Sequence, residues 1–258
     1  MEITFSSTSS PPLPRVLIWH GSMSLRLHLL ITQGRDLICL RRLLSIMRGI
    51  PLVIIGAGGF ARELYSWAAY EPNCQVSAFL DERRVQPEIF GIPVFKDFSN
   101  SMRGKRFLVA VGDPLQRERL WEKAIAAGMI PAQSLIHRSV IAGIEVYSSV
   151  GCIICPGVVL TTNIRMGKGT IININATVGH DCVLGKFVTI SPGANISGNC
   201  SIGDRSYIGT NSCMREKITI GNDSTLGMGS VLLKAIPDGE VWVGNPAKKL
   251  IKSGLSTH

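Results

Sequence analysis

From Ile154 to Leu232 an aliphatic residue falls at every sixth position without a slip. The series is Ile154, Leu160, Met166, Ile172, Val178, Leu184, Ile190, Ile196, Ile202, Ile208, Met214, Ile220, Leu226 and Leu232. Glycine follows the aliphatic residue at 167, 179, 185, 203, 209, 221 and 227. Four places after it stands a small or branched residue, such as Ala176, Cys182, Val188, Ala194, Cys200, Ser206, Ser212, Ser224 or Ser230. Neither the 3.6-residue period of an α-helix nor the two-residue period of a strand generates this rule. A parallel β-solenoid does, with three short strands per turn, each sending one large and one small side chain inward. One rung cannot bury its apolar face alone, so the rungs must stack. The recurring glycines are expected to permit the corners.

Upstream the pattern changes. Leu52-Val-Ile-Ile reads as a buried strand, Gly56-Ala-Gly58-Gly59 as a tight turn, and the following residues as a helix to about Tyr70. Gln75 to Leu80 is a second strand ending in Asp81, and Arg106 to Val111 a third, closed by Gly112-Asp113-Pro114. A helix from Gln116 to about Gly128 follows. This is a βαβ layout in which a glycine turn meets a helix N-terminus, where free backbone N–H groups favour phosphate. The dinucleotide fingerprint is incomplete, because Ala61 or Arg62 stands where its third glycine would be. Only about three βα units fit before residue 135, fewer than a nicotinamide-dependent dehydrogenase needs. A nucleoside diphosphate is the better fit, with the strand ends at 56–60, 81–82 and 112–113 converging on one crevice. A purely structural glycine turn is the alternative. The fold class is therefore an α/β Rossmann-like domain, residues 47–135, followed by an all-β parallel helix and tail, residues 136–258. Residues 1–46 read as a poorly ordered extension translated from an upstream start codon, ahead of a clean domain start at Met47. An organelle-targeting or membrane-surface helix is the rival reading.

Composition narrows the partners. The net charge of +9 includes +3 from residues 1–46, where five Arg face Glu2 and Asp36. No run of Lys and Arg is interleaved with aromatics, so nucleic acid is not an expected partner. The mild positive excess suits an anionic small molecule. No stretch of about 20 apolar residues is present, so no membrane insertion is expected. The seven cysteines follow no disulfide framework and fit a reducing, cytoplasmic setting. Cys182 and Cys200, one turn apart at the small inward position, are expected to stack as packing residues. Cys152-Ile-Ile-Cys155 lacks the second pair that a zinc site requires.

Five histidines occur, and only His180 lies within the unbroken repeat. Val178 and Cys182 point inward, which leaves His180 and Asp181 facing out at a corner. An imidazole beside a carboxylate is a candidate general base; a solvated corner pair is the plain alternative. Zinc-binding solenoids need three histidines, so no metal is expected.

The hexad coil, followed by Gly244-Asn245-Pro246-Ala247-Lys248, resembles the left-handed β-helix acyltransferases that use acetyl-CoA. The Gly-Ala-Gly-Gly turn and the string His180-Asp181-Cys182-Val-Leu-Gly185 further resemble the NeuD/PglD-type sugar acyltransferases, over about residues 51–250. The resemblance implies that His180 deprotonates a sugar amine or hydroxyl for direct attack on the thioester, with Asp181 raising its basicity. It implies acetyl-CoA in a groove between copies of a homotrimer, with contacts at Gly198, Thr210 and Met228. Nucleotide-sugar contacts fall on Gly58, Gly59, Phe60, Asp81, Glu82 and Gly112. Many relatives carry His where this chain has Phe60 and Thr189; at Thr189 a hydroxyl could still donate to the thioester oxygen. The preferred acceptor is a UDP-linked amino sugar, with O-acetylation of a sialic acid or related sugar as the alternative. A catalytically silent trimeric scaffold or sugar-nucleotide sensor, and a nicotinamide-linked enzyme, are the readings from other classes.

Overall fold

The computed structural model describes residues 51–71, 74–83 and 86–251, so the reading of 1–46 lies outside the described residues. The α/β region contains β1 (Leu52–Ile55), α1 (Gly59–Ala68), β2 (Val76–Leu80), β3 (Glu88–Ile89), β4 (Ile92–Phe95), β5 (Arg106–Val109), α2 (Pro114–Ala126) and β6 (Ile130–Pro131). The sheet order is β3-β4-β2-β1-β5-β6. All neighbours are parallel except β3 and β4. The three expected strands form the centre: β1 is aliphatic throughout and buried on both faces, as are Ala78, Phe79 and Leu80 of β2 and Phe107, Leu108 and Val109 of β5. The two-residue strands β3 and β6 are too short to leave a periodic signal. The reversal of order at β1 opens a crevice at the carboxyl ends of β1, β2 and β5.

The remainder is a left-handed parallel β-helix with three faces. The first face stacks Leu135–Ile136, Ile153–Ile154, Ile171–Ile172, Thr189–Ile190, Tyr207–Ile208 and Thr225–Leu226. The second runs from Ile141–Ala142 to Val231–Leu232, and the third from Val146–Ser148 to Thr219–Ile220. All fourteen aliphatic residues of the hexad series fill one buried core. Cys182 and Cys200 lie in it as packing residues. In the lower turns Ser206, Ser212 and Ser224 take the small inward position on the other faces, and each hydroxyl donates to a backbone carbonyl, so their burial leaves none of these hydroxyls unpaired. Cys152 lies in the coil core but Cys155 in the cluster outside it. Their side chains therefore cannot share a metal.

The corners work differently from the sequence expectation. Every sixth residue from Glu145 to Gly229 has a left-handed backbone, with φ between 51° and 74°. These positions lie three places after the aliphatic residue, and ten are not glycine: Glu145, Asn163, Asn175, Asp181, Phe187, Asn199, Arg205, Asn211, Lys217 and Asp223. Asn and Asp tolerate this conformation through local hydrogen bonding. The glycines directly after the aliphatic residue serve contact between turns instead. A Cβ on Gly203 would lie 2.6 Å from Asn222 N, and one on Gly167 2.6 Å from Gly185 C.

The α/β region packs on the first face. The outward Ile153 and Ile171 join Leu52, Ile54, Leu64 and Phe79 in one cluster. Phe187, at the edge between the third and first faces, meets Trp121 of α2 at 5.7 Å between ring centroids. Arg117 binds the two parts together. Its side chain is fully buried and donates to five carbonyls: Val111 and Gly112 beside the crevice, and Gly169, Phe187 and Val188 of the coil. Burial pushes its pKa down to about 9, with Asp113 opposing the shift, so it stays charged at neutral pH. No helix among the described residues is long and apolar enough to cross a membrane.

Arg117→Met keeps the length of the side chain but strands these buried acceptors. It should cost on the order of 3 kcal/mol or more of stability, read as a shifted urea midpoint, with faster amide exchange along the first face. An unchanged midpoint would show that the guanidinium does not hold the junction.

Candidate active site

The crevice is a cleft of about 840 Å³ lined by all six residues expected there, Gly58, Gly59, Phe60, Asp81, Glu82 and Gly112. Its glycines fall into two kinds. Gly56 has φ +109°, and a Cβ there would meet Ala110 O at 2.9 Å, so the fold itself demands glycine. A Cβ on Gly58, Gly59 or Gly112 would meet nothing within 4 Å. Their missing side chains leave room in the cleft and are not required by packing. The N-terminus of α1 has no side-chain cap, whereas Asp113 caps α2 by accepting from Gln116 N at 2.6 Å. The first turn of α1 thus keeps its N–H groups for an anion.

The acids at the end of β2 divide their work. Asp81 accepts from Ala57 N at 2.9 Å and Arg83 N at 3.0 Å, which ties the glycine turn to β2. Glu82 reaches Lys123 of α2 with both oxygens, at 2.8 and 2.7 Å, across the cleft mouth. Arg119 lies one helical turn before Lys123 and also lines the cleft. Sequence reasoning missed both cations, although their i, i+4 spacing on a helix leaving the crevice was visible.

His180 and Asp181 stand on the edge between the second and third faces, 57% and 43% exposed. Asp181 is one of the left-handed corner residues, with φ +60°. Its Oδ2 lies 2.7 Å from His180 Nδ1, and its Oδ1 accepts from Asn163 Nδ2 at 2.6 Å. The bond from His180, then that from Asn163, holds the Asp181 carboxyl below the usual carboxylate range. An ionised carboxylate only accepts, so Nδ1 carries the hydrogen and Nε2 offers its lone pair. Asn163 occupies the same corner one turn earlier, a register that would have identified it from sequence.

The other expected residues separate into groups. Gly198, one turn below His180, lies under the imidazole: a Cβ there would sit 2.5 Å from Nε2. Thr210 and exposed Met228 stack on a different edge, between the first and second faces. Within one chain they do not meet His180. Thr189 is a correction. It is buried on the first face and donates its hydroxyl hydrogen to Gly112 O at 2.7 Å, so it joins the two parts of the chain and has no hydrogen to offer a thioester. No group of His, Cys, Asp and Glu among the described residues is placed to hold a metal ion.

A nucleotide-sized cleft on an α/β sheet, joined to a left-handed β-helix with an exposed His–Asp pair, defines an acyltransferase of the hexapeptide-repeat class. Residues 51–124 match the family described as the PglD N-terminal domain. The chain is similar to perosamine N-acetyltransferase from Caulobacter crescentus, solved with CoA and GDP-perosamine: 31% identity, 78% of this chain and 97% of that one, TM-score 0.73. It is also similar to the acetyltransferase domain of PglB from Neisseria gonorrhoeae FA1090, solved with acetyl coenzyme A (36% identity, 78% and 98% coverage, TM-score 0.71). WeeI from Acinetobacter baumannii AYE matches at 31% identity, 77% and 99% coverage and TM-score 0.72. The chain belongs to this family of hexapeptide-repeat sugar acetyltransferases.

Because the imidazole rests on Gly198, Gly198→Ala should displace Nε2 while leaving the coil intact. Turnover should fall about 10- to 100-fold with little change in thermal midpoint. Full turnover in that variant would mean that the ring position does not matter.

Proposed function

We propose that the protein transfers an acetyl group from acetyl-CoA to the amine of a nucleoside-diphosphate amino sugar, with His180 as general base. The observation that carries this reading is the Asn163–Asp181–His180 chain, which fixes the tautomer and leaves Nε2 free beside Gly198. Nε2 takes a proton as the amine attacks the thioester carbonyl carbon. The amide bond forms, the C–S bond breaks, and the imidazolium returns a proton to the departing thiolate. Asp181 stabilises the imidazolium meanwhile. Two of the Caulobacter crescentus structures carry a single histidine replaced, by asparagine in one and alanine in the other, which accords with a histidine at the centre of the chemistry. The uncapped α1 N-terminus and the open glycines support a diphosphate in the cleft. The sequence favours a UDP-linked acceptor, while the relative binds a GDP-linked one, so both belong in the test.

His180→Ala should lower CoA release from acetyl-CoA by about 10²-fold or more with either a UDP- or a GDP-linked amino sugar. Asp181→Asn, which keeps a residue tolerant of the left-handed backbone, should lower kcat more than it changes KM. Near-full CoA release by His180→Ala would reject the assignment.

The reaction runs between copies in this reading. The cleft lies with the α/β region on the first face, whereas His180 stands on the opposite edge, between the other two faces. A cleft-bound sugar is thus served by a neighbour's imidazole. Acetyl-CoA then lies where one copy's Thr210–Met228 edge meets the next copy's His180–Gly198 edge, a head-to-tail contact that closes as a trimer. Gly59→Glu places a negative charge in the phosphate end of the cleft without a packing clash. Co-assembled equally with His180→Ala, it should restore about one quarter of wild-type activity if trimers mix at random. Zero recovery from demonstrably mixed trimers would place both halves of the site on one chain.

A further inference from the structure

A second, smaller hollow of about 450 Å³ lies between the start of α2 and the first face of the coil. Gly112, Asp113 and Leu115 border both it and the larger cleft, so one ligand can cross from one to the other. Its floor is Tyr207 and Thr225, the outward residues of the two turns that follow Thr189. Above them the same outward column is apolar (Ile153 and Ile171) and covered by the α/β region. The column turns polar at Thr189, which is still buried under that cover, and Tyr207 and Thr225 follow it into the hollow.

The hollow has one fixed wall and several unused polar groups. Arg205 donates to Asp223 through Nε at 2.6 Å and NH2 at 2.7 Å, and its NH1 lies 3.4 Å from Glu118. Its charge is thereby consumed and its plane held. The partition is equally rigid, because the Gly112 carbonyl accepts from Thr189 at 2.7 Å and from Arg117 at 3.1 Å. The half-buried Tyr207 hydroxyl makes no hydrogen bond among the described residues. Asp113 uses Oδ1 to cap α2 and leaves Oδ2 without a partner. Hydrogen-bonding groups left open in a hollow beside a ligand cleft are groups that a polar ligand can satisfy.

The geometry points to this hollow as the seat of the sugar ring, with the Tyr207 hydroxyl and the Asp113 carboxylate as its polar contacts. The inference rests on the acetyltransferase reading above and deepens it. The nucleoside diphosphate fills the larger cleft, and the sugar crosses Gly112 onto Tyr207. Asp223 and Glu118 flank Arg205, and the Asp113 carboxylate, which faces buried Arg117 on one side, keeps Oδ2 open to the hollow. An acceptor oxygen there suits a sugar that offers N–H or O–H donors and disfavours an anionic one such as a sialic acid.

Tyr207→Phe removes only a hydroxyl, and Asp113→Asn keeps a residue that caps helices well, so both should fold. Calorimetry with UDP and GDP measures the larger cleft alone. CoA release with GDP-perosamine and with a UDP-linked amino sugar measures the whole site. Tyr207→Phe should bind the preferred nucleoside diphosphate within about twofold of wild type and Asp113→Asn, which removes a negative charge from the cleft edge, no more weakly, while each loses about tenfold or more in kcat/KM for the sugar substrate, consistent with one lost contact. The KM for acetyl-CoA should not move. Unchanged kcat/KM in both variants, or an equal loss in nucleoside diphosphate binding, overturns the sugar seat while leaving the acetyltransferase reading intact. Wild-type protein that releases no CoA with either sugar overturns that reading, and the seat with it.

Discussion

A single buried guanidinium fixes the distance between the two halves of this enzyme. Arg117 leaves α2, crosses the seam and meets carbonyls from both sides. Among the described residues no carboxylate is hydrogen-bonded to it; the neutral dipoles of the backbone solvate it, with Asp113 adding a longer-range attraction. That arrangement is directional: each carbonyl must stand where the planar fork reaches it. The Gly112 loop, which borders both hollows, is therefore positioned by the coil as much as by its own sheet. Thr189 adds a second tie to the same carbonyl. Transfer chemistry between two bound substrates depends on such positioning, because small displacements of the reacting groups are costly.

Much of this was legible in the sequence. The hexad series reported the coil because every one of its aliphatic residues faces one core. The outward placement of His180 and Asp181 followed from the inward placement of Val178 and Cys182. The crevice followed from three strand ends that carry glycine or acid. The corners were misassigned because composition shows where glycine occurs but not which constraint it meets. Gly203 is small because the next turn is close, Gly56 because its φ is positive, and Gly59 because its surroundings are left open.

Other features needed a longer register than six. Reading the outward positions at intervals of one full turn gives Leu135, Ile153, Ile171, Thr189, Tyr207 and Thr225 down the first face. That column passes from apolar to polar, which marks where the α/β region covers the coil. The same interval pairs Asn163 with Asp181. Arg117 gave no such signal, since an arginine on an amphipathic helix reads as a solvated side chain until its helix is docked. The role of Thr189 was hidden for the same reason: its partner is 77 residues away.

Down to Thr225 the ladder of the coil joins strands eighteen residues apart, as in the Thr177–Asn195 contact, and only the closing turn is shorter, with Thr225 opposite Val241. Adding or deleting one residue would turn every later inward side chain to the wrong surface and move the left-handed corners off their places. The regular turns above the closing one can therefore lengthen or shorten during descent most readily by whole rungs. Such a change below His180 would carry the terminal hairpin of Trp242 and Lys249 outward and leave the upper edge undisturbed. If acetyl-CoA lies along the coil as proposed, the length of its groove is an inheritable quantity that varies in steps, separately from the corner that carries His180.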